Sequence, residues 1–300
     1  MIRQNKSKDQ VLAETGCVVG VNDLSLSIGS GEIFVIMGLS GSGKSTLVRH
    51  FNRLIDPTSG EILVDGEDIL RYDMEALRQF RRRKISMVFQ SFGLLPHRNV
   101  QDNVAYGLKV RGESKALCAE RALHWINTVG LKGYENKYPH QLSGGMRQRV
   151  GLARALAADT DIILMDEPFS ALDVLTAENL RNEVLKMWSG NQRSIKSVLI
   201  VTHNIEEAVQ MADRVVVLGS HPGHLIADMP VTLPRPRDRH SAQFEAMVDT
   251  LYAILTGQSR DGGPADTADE RTAAGDGVAH GTSDGAANQT AAADQAPARA

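Results

Sequence analysis

The chain has 300 residues, 42% of them hydrophobic, and a formal net charge of −3, so it can bury one substantial core but carries no global basic field to hold nucleic acid. Cys17 and Cys118 lack the paired spacing of a zinc site or a redox Cys-x-x-Cys and read as ordinary thiols of a reducing compartment. Residues 1–10 lack the apolar core of an export signal, and no run of about 18 apolar residues offers a membrane span, so work at a membrane would need an anchoring partner.

In chain order, the pattern predicts a buried strand over 33–37, a Gly-rich turn and a helix over 46–54. A strand over 61–64, a helix over 74–80 and a strand over 85–89 follow, then helices over 100–110, 114–129 and 145–156. The remainder reads as strand 161–165, helix 176–187, strand 197–201, helix 205–211, strand 214–218 and helix 241–255. Continuously apolar strands separated by helices imply a mainly parallel sheet covered on both faces, with ligands bound beyond the carboxyl ends of the strands. Residues 1–260 are expected to form one domain with a helical part over 91–158 and a helical extension over 241–257. From about residue 261 the composition turns to Ala, Asp, Gly, Thr and Pro, which reads as a disordered tail, 261–300.

The turn after the first strand, Gly38-Leu39-Ser40-Gly41-Ser42-Gly43-Lys44-Ser45-Thr46, fits G-x-x-x-x-G-K-[ST] between a strand and a helix. Its glycines let backbone N–H groups turn toward a β-phosphate at a helix N-terminus, whose dipole favours anions. Lys44 is expected to reach the β- and γ-phosphates of ATP and Ser45 to ligate Mg²⁺. A plain Gly-Ser turn with an exposed lysine would rarely meet every required position. Later, Ile162-Ile163-Leu164-Met165 runs straight into Asp166 and Glu167. Neighbouring strand residues face opposite ways, so Asp166 can serve Mg²⁺ while Glu167 polarises the attacking water. Two such acids alone would be an ordinary solvated strand end; with the phosphate loop upstream they read as hydrolytic.

Leu142-Ser143-Gly144-Gly145-Met146-Arg147-Gln148 opens a helix ahead of those carboxylates, and Ser143 with two glycines makes a second anion site. This run resembles the signature of the ABC ATPase family. The resemblance implies a P-loop NTPase cassette of α/β class: a mainly parallel core sheet, an antiparallel β subdomain and a helical signature subdomain. It also implies a head-to-tail homodimer in which Leu142, Ser143, Gly144, Gly145, Met146 and Gln148 serve the ATP bound by the opposite subunit. Gln90 matches the loop glutamine that senses Mg²⁺ and the attacking water, Ser170 and Asp173 match a loop at the dimer interface, and His203 matches the switch histidine at the γ-phosphate.

Over about 14–158, through 32–52, Ile85-Ser86-Met87-Val88-Phe89-Gln90, Leu95-Pro96-His97 and 140–158, the chain is similar to ATPases of glycine betaine/proline importers. The stretches 166–180, 202–208 and Leu233-Pro234-Arg235-Pro236-Arg237-Asp238 resemble the nitrate/sulfonate/taurine group. Either resemblance implies a peripheral subunit on the cytoplasmic face of the bacterial inner membrane, bound to permease subunits and served indirectly by a substrate-binding protein. Substrate specificity is then expected in those partners. Family members stack adenine on an upstream aromatic residue, but none precedes Phe34 here, so the base is expected to meet the 16–19 segment. Arg81-Arg82-Arg83-Lys84 reads as a solvated helix face, with anionic lipid as the alternative. A non-transport ABC ATPase and a small-molecule kinase are the competing functions; the signature and His203 speak against the kinase.

Overall fold

A computed structural model describes residues 8–189, 195–220 and 222–257. The expected tail lies outside these residues. At the centre is β1 (Glu32–Gly38), whose alternate side chains feed two cores. Ile33, Val35 and Met37 point into one, and Phe34 and Ile36 into the other, as the two-residue period of a strand requires. With β4 (Ile85–Val88), β5 (Ile162–Asp166), β6 (Ser197–Val201), β7 (Arg214–Gly219) and β8 (His224–Pro230), it forms a six-stranded sheet in the order β4-β5-β6-β1-β7-β8. The first five of these run parallel, and β8 closes the edge antiparallel to β7.

One face is covered by α2 (Lys44–Phe51) and α3 (Met74–Arg83), with Leu47, Val48, Leu77 and Phe80 packed on Phe34 and Ile36. Between them, β2 (Leu63–Val64) and β3 (Glu67–Asp68) make a two-residue antiparallel pairing, shorter than the expected strand over 61–64. The other face carries α4 (Val100–Val104), α5 (Tyr106–Arg111), α6 (Lys115–Thr128) and α7 (Gly144–Ala157). Their Val104, Leu108, Ile126, Val150 and Leu156 share one core with Ile33 and Val35. The single helix expected over 100–110 is broken at Ala105. The fully buried Asn103 side chain there donates to the carbonyls of Leu95, Arg98 and Asn99, tying the helix start to the preceding loop.

Three more helices complete the cover: α8 (Val174–Ser189), α9 (Ile205–Met211) and α10 (Ala242–Thr256). Arg237 donates to the carbonyls of Val209 and Ala212 at 2.7 and 2.6 Å, which satisfies the C-terminal end of α9. Phe244, Val248 and Leu251 of α10 join the same core. An additional short helix, α1 (Lys8–Thr15), and the edge strand β8 were not expected from the sequence pattern. Among the described residues, no helix is long and apolar enough to cross a membrane.

Candidate active site

The strand order β4-β5-β6-β1 lines up four chain exits along one edge of the sheet. Gln90 follows β4, Asp166 ends β5 and Glu167 continues from it, His203 lies two residues beyond β6, and Gly38 ends β1. Asp166 is level with Val201, and Val201 with Ile36, so the register alone brings these exits together.

The loop between β1 and α2 is folded tightly enough to require glycine at two places. A Cβ on Gly38 would lie 2.5 Å from Ser42 Oγ and 2.6 Å from the Leu218 carbonyl oxygen. Gly43 has φ of 80° and would direct a Cβ to within 2.5 Å of the Gly20 carbonyl oxygen. As N-cap of α2, Gly43 brings no side-chain acceptor, so the first-turn N–H groups from Lys44 onward remain available to an anion. Lys44 is buried, with Nζ donating to the carbonyls of Gly38 (2.7 Å) and Leu39 (2.9 Å) and to Ser42 Oγ (3.4 Å). Burial lowers its pKa, against the opposing pull of Glu167 and Asp166. Leu39, Ser40 and Gly41 are exposed at the tip of the loop, and Thr46 is half-buried against Gly20.

Asp166 is fully buried, and its Oδ1 accepts from Ser45 Oγ at 2.8 Å. Its Oδ2 has no hydrogen-bond partner, with Arg49 Nη2 no nearer than 3.8 Å. Desolvation raises the Asp166 pKa, offset in part by Ser45 and Arg49. Glu167 faces elsewhere: its N–H extends the ladder to the Val201 carbonyl at 2.9 Å, and its φ of 50° is left-handed, an uncommon cost for a non-glycine residue. That turn presents its carboxylate to Gln90, whose Nε2 donates to Oε2 at 3.1 Å, and to His203, whose Nδ1 lies 3.3 Å from Oε1. The Glu167 backbone is gripped from behind. Ser170 Oγ donates to its carbonyl at 3.0 Å, and the buried Gln148 donates to the Glu167 and Pro168 carbonyls at 3.3 and 2.8 Å.

Sequence-predicted residues thus form two groups. Lys44, Ser45, Gln90, Asp166, Glu167 and His203 converge, whereas Ser143 stands exposed and caps its own helix, accepting from Met146 N–H at 3.2 Å. Among the described residues no hydrogen bond joins Ser143 to the phosphate loop. Leu142 is buried, Gly144 has open space around it, and Gly145 packs on the 170–173 loop, where a Cβ would sit 3.2 Å from the Ala171 carbonyl oxygen. Asp173 caps α8 by accepting from Thr176 N–H at 2.9 Å. Sequence reasoning passed over Arg181 and Glu207, a buried pair behind His203. The available signal was Asn204 three residues before Glu207, a helix-start pattern realised as the Glu207 N–H donating to Asn204 Oδ1 at 3.0 Å.

A family model described as ABC transporter matches residues 21–170. The glycine betaine/proline betaine transport system ATP-binding protein of Escherichia coli (strain K12) is 52% identical over 217 residues, covering 72% of this chain and 54% of that protein. The glycine betaine transport ATP-binding protein of Bacillus subtilis (strain 168) is 46% identical, covering 85% of this chain and 60% of its own length. The chain therefore spans little more than half the length of these two relatives. A trimethylamine N-oxide transport system ATP-binding protein of Ruegeria pomeroyi is 48% identical, with coverage of 85% and 74%. Among solved structures, a dimeric post-hydrolysis ATP-binding cassette bound to ADP and Pi superposes with a TM-score of 0.66 at 35% identity, over 71% of this chain and 91% of that one. With its phosphate loop, strand-end carboxylates and signature helix in one cassette fold, the chain belongs to the ABC transporter family, as an ATP-binding domain.

Proposed function

We propose that this chain is the ATP-hydrolysing subunit of a bacterial ABC importer for glycine betaine or a related quaternary amine. The observation that carries the hydrolytic reading is the meeting of Gln90 and His203 on the two oxygens of Glu167, beside the phosphate loop. In this reading the loop amides and Lys44 bind the phosphates. Glu167 takes the proton of the water that attacks the γ-phosphorus, Gln90 orients that water, and His203 holds the γ-phosphate. The residues at Asp166 suit Mg²⁺: a hydroxyl and a carboxylate, one oxygen of it buried without a hydrogen-bond partner, form a hard oxygen donor set beside the phosphate loop. Ser45, Asp166 and Gln90 would hold the ion, which when bound would neutralise phosphate charge. Among the described residues no cluster of three acidic, His or Cys side chains could form an all-protein cage, as suits an ion shared with phosphates.

Ser143, exposed and, among the described residues, bonded only within its own helix start, supports a site completed by a second copy, with the signature run 142–148 of one chain over the nucleotide of the other and Ser170 and Asp173 at the junction. Permease subunits would seat the dimer on the cytoplasmic face of the membrane, and a substrate-binding protein would deliver the solute to them. Adenine is assigned to the 16–19 segment, where Val18 is exposed and Gly20 abuts Gly43 and Thr46. The quaternary-amine reading is favoured over the nitrate/sulfonate/taurine alternative because relatives that match 85% of the chain, both halves included, transport glycine betaine or trimethylamine N-oxide.

The test is a mixing experiment. Ser143→Arg should bind ATP as a monomer yet fail to hydrolyse it, and Lys44→Ala should be inactive alone. Their heterodimer should regain one working site, pairing the intact loop of one chain with the intact signature of the other. Normal hydrolysis by Ser143→Arg, or no recovery on mixing, contradicts the two-chain site.

A further inference from the structure

Behind the Glu167–His203 contact lies a buried ion pair that has no part in the steps above. Between β6 and α9 the chain passes through Thr202, His203 and Asn204. Thr202 is buried, and its hydroxyl accepts from the Asn204 N–H at 3.1 Å. Asn204 in turn accepts from the Glu207 N–H. Asn204, the residue after His203, is therefore tied both to Thr202 before it and to the first turn of α9, which carries Glu207.

Glu207 is 5% exposed and its Oε2 lies 3.7 Å from Nη1 of Arg181, itself 6% exposed. The Arg181 guanidinium lies over the ring of Phe169, 5.9 Å from its centroid, and Phe169 is two residues beyond Glu167. The pair thus bridges the loop that carries Glu167 and the loop that carries His203. A cavity of about 320 Å³ beside the pair is lined by Glu167, Phe169, Arg181, Thr202, His203 and Glu207 together. Stability does not explain the pair. Glu207 Oε1 and Arg181 Nε have no hydrogen-bond partner, and a buried pair left incompletely satisfied contributes less than apolar packing of the same volume.

We infer that Glu207 and Arg181 are positioning residues that set the stance of His203 against Glu167, and so govern turnover without touching nucleotide. This rests on the proposed hydrolytic roles of Glu167 and His203. The charged groups facing Glu207 are Arg181 on α8, Glu167 beyond β5 and His203 on its own loop; Glu178, Glu206 and Arg239 face Arg181. Burial lifts the Glu207 pKa to about 7, with Thr202, Arg181 and His203 pulling it down and Glu167 pushing it up. Its charge therefore changes near neutral pH.

Steady-state Mg-ATP hydrolysis and ATP binding by the full chain test this with Glu207→Ala, Glu207→Gln, His203→Ala and the Glu207→Ala/His203→Ala double variant. Glu207→Ala should lose about tenfold in kcat, the scale of a misplaced catalytic contact, with KM within about twofold. Glu207→Gln keeps the shape of the side chain and an acceptor oxygen toward Arg181; it should retain most of kcat and flatten the pH profile between about pH 6 and 8. In the double variant Glu207→Ala should add no further loss, because its effect passes through His203. An equal loss with and without His203, a parallel fall in ATP affinity, or wild-type kcat in Glu207→Ala overturns the inference. Should Glu207→Ala fail to fold, Glu207→Asp draws the carboxylate back from Arg181 while keeping its charge, and wild-type kcat there overturns it equally. If His203→Ala itself turns over normally, the hydrolytic reading fails first, and that outcome is distinct from the others.

Discussion

The two ends of the parallel strands handle charge in opposite ways. At the amino ends, Lys84 Nζ donates to Asp161 at 2.9 Å and to Asp65 at 3.0 Å, and Lys196 lies 3.1 Å from the same Asp161 oxygen. Backbone bonds reinforce the closure, with Ile162 N–H donating to the Lys84 carbonyl and Lys196 N–H to the Asp161 carbonyl. At the carboxyl ends, Asp166 is buried with one oxygen unpartnered, Lys44 is desolvated and Glu167 sits in left-handed backbone. One end is complete as folded. The other leaves an unpartnered carboxylate oxygen, a desolvated lysine and left-handed backbone at the place proposed for the nucleotide and its Mg²⁺.

Lys44→Ala tests the carboxyl end with the largest expected effect. Removing a charged donor from an anion site should weaken ATP binding more than tenfold, since each hydrogen bond of this kind contributes about 1.5–3 kcal/mol. Calorimetry with Mg²⁺ measures it, and unchanged affinity would count against the phosphate loop.

A matched pair of isosteric changes then sharpens the comparison. Asp161→Asn should lower the melting temperature by about 2–4 °C, corresponding to about 1 kcal/mol from an exposed ion-pair network, and leave ATP hydrolysis unchanged. Asp166→Asn should leave the melting temperature of the nucleotide-free protein equal or higher while abolishing hydrolysis. The pH dependences should differ in sign. The lysine partners of Asp161 hold its carboxyl below the ordinary range despite desolvation, so its stabilisation is present above the unfolded carboxylate value of about 3.9 and is lost as pH falls through the folded value. The Asp161→Asn deficit should therefore be full at pH 7 and shrink on acidification. Burial raises the Asp166 carboxyl, so the wild type loses stability as pH rises from the unfolded value through the folded one. The advantage of Asp166→Asn should grow with pH over that interval. Thermal melts between about pH 2 and 8 would show both trends, and parallel trends would erase the distinction between the ends.

The smallest effect concerns the base. Val18→Tyr supplies the aromatic face that the segment before Phe34 lacks, and should tighten ATP a few-fold, about 0.5–1.5 kcal/mol of stacking. No change in affinity would move the adenine away from the 16–19 segment.

Local patterns carried much of this molecule. The apolar strand into a Gly-rich turn, the strand ending in Asp166 and Glu167, and the Ser-Gly-Gly start of α7 are each written within a dozen residues, where periodicity and capping chemistry act. The features that escaped depend on distant partners. The break at Ala105 coincides with Asn103, whose buried side chain bonds the 95–98 loop, a contact that helical periodicity does not report. The strand β8 is an edge strand with little burial and mixed polarity, so its pattern is weak. Glu207 reads as one more helix-surface acid until Arg181, 26 positions earlier in sequence, is seen beside it. Of the four residues 81–84, Arg81 donates to the Asn52 and Arg53 carbonyls and Lys84 to two carboxylates, so half of that run is structural rather than a free basic face.

The most direct measurement of the central claim is ATP turnover by Glu167→Gln, alongside its oligomeric state by light scattering with and without Mg-ATP. The amide keeps the shape of the side chain and its acceptor oxygen for Gln90 but cannot take a proton from water. The account predicts turnover reduced by about 10²-fold or more, with ATP bound at near wild-type affinity and a stable ATP-dependent dimer. Near-normal turnover in this variant would contradict it.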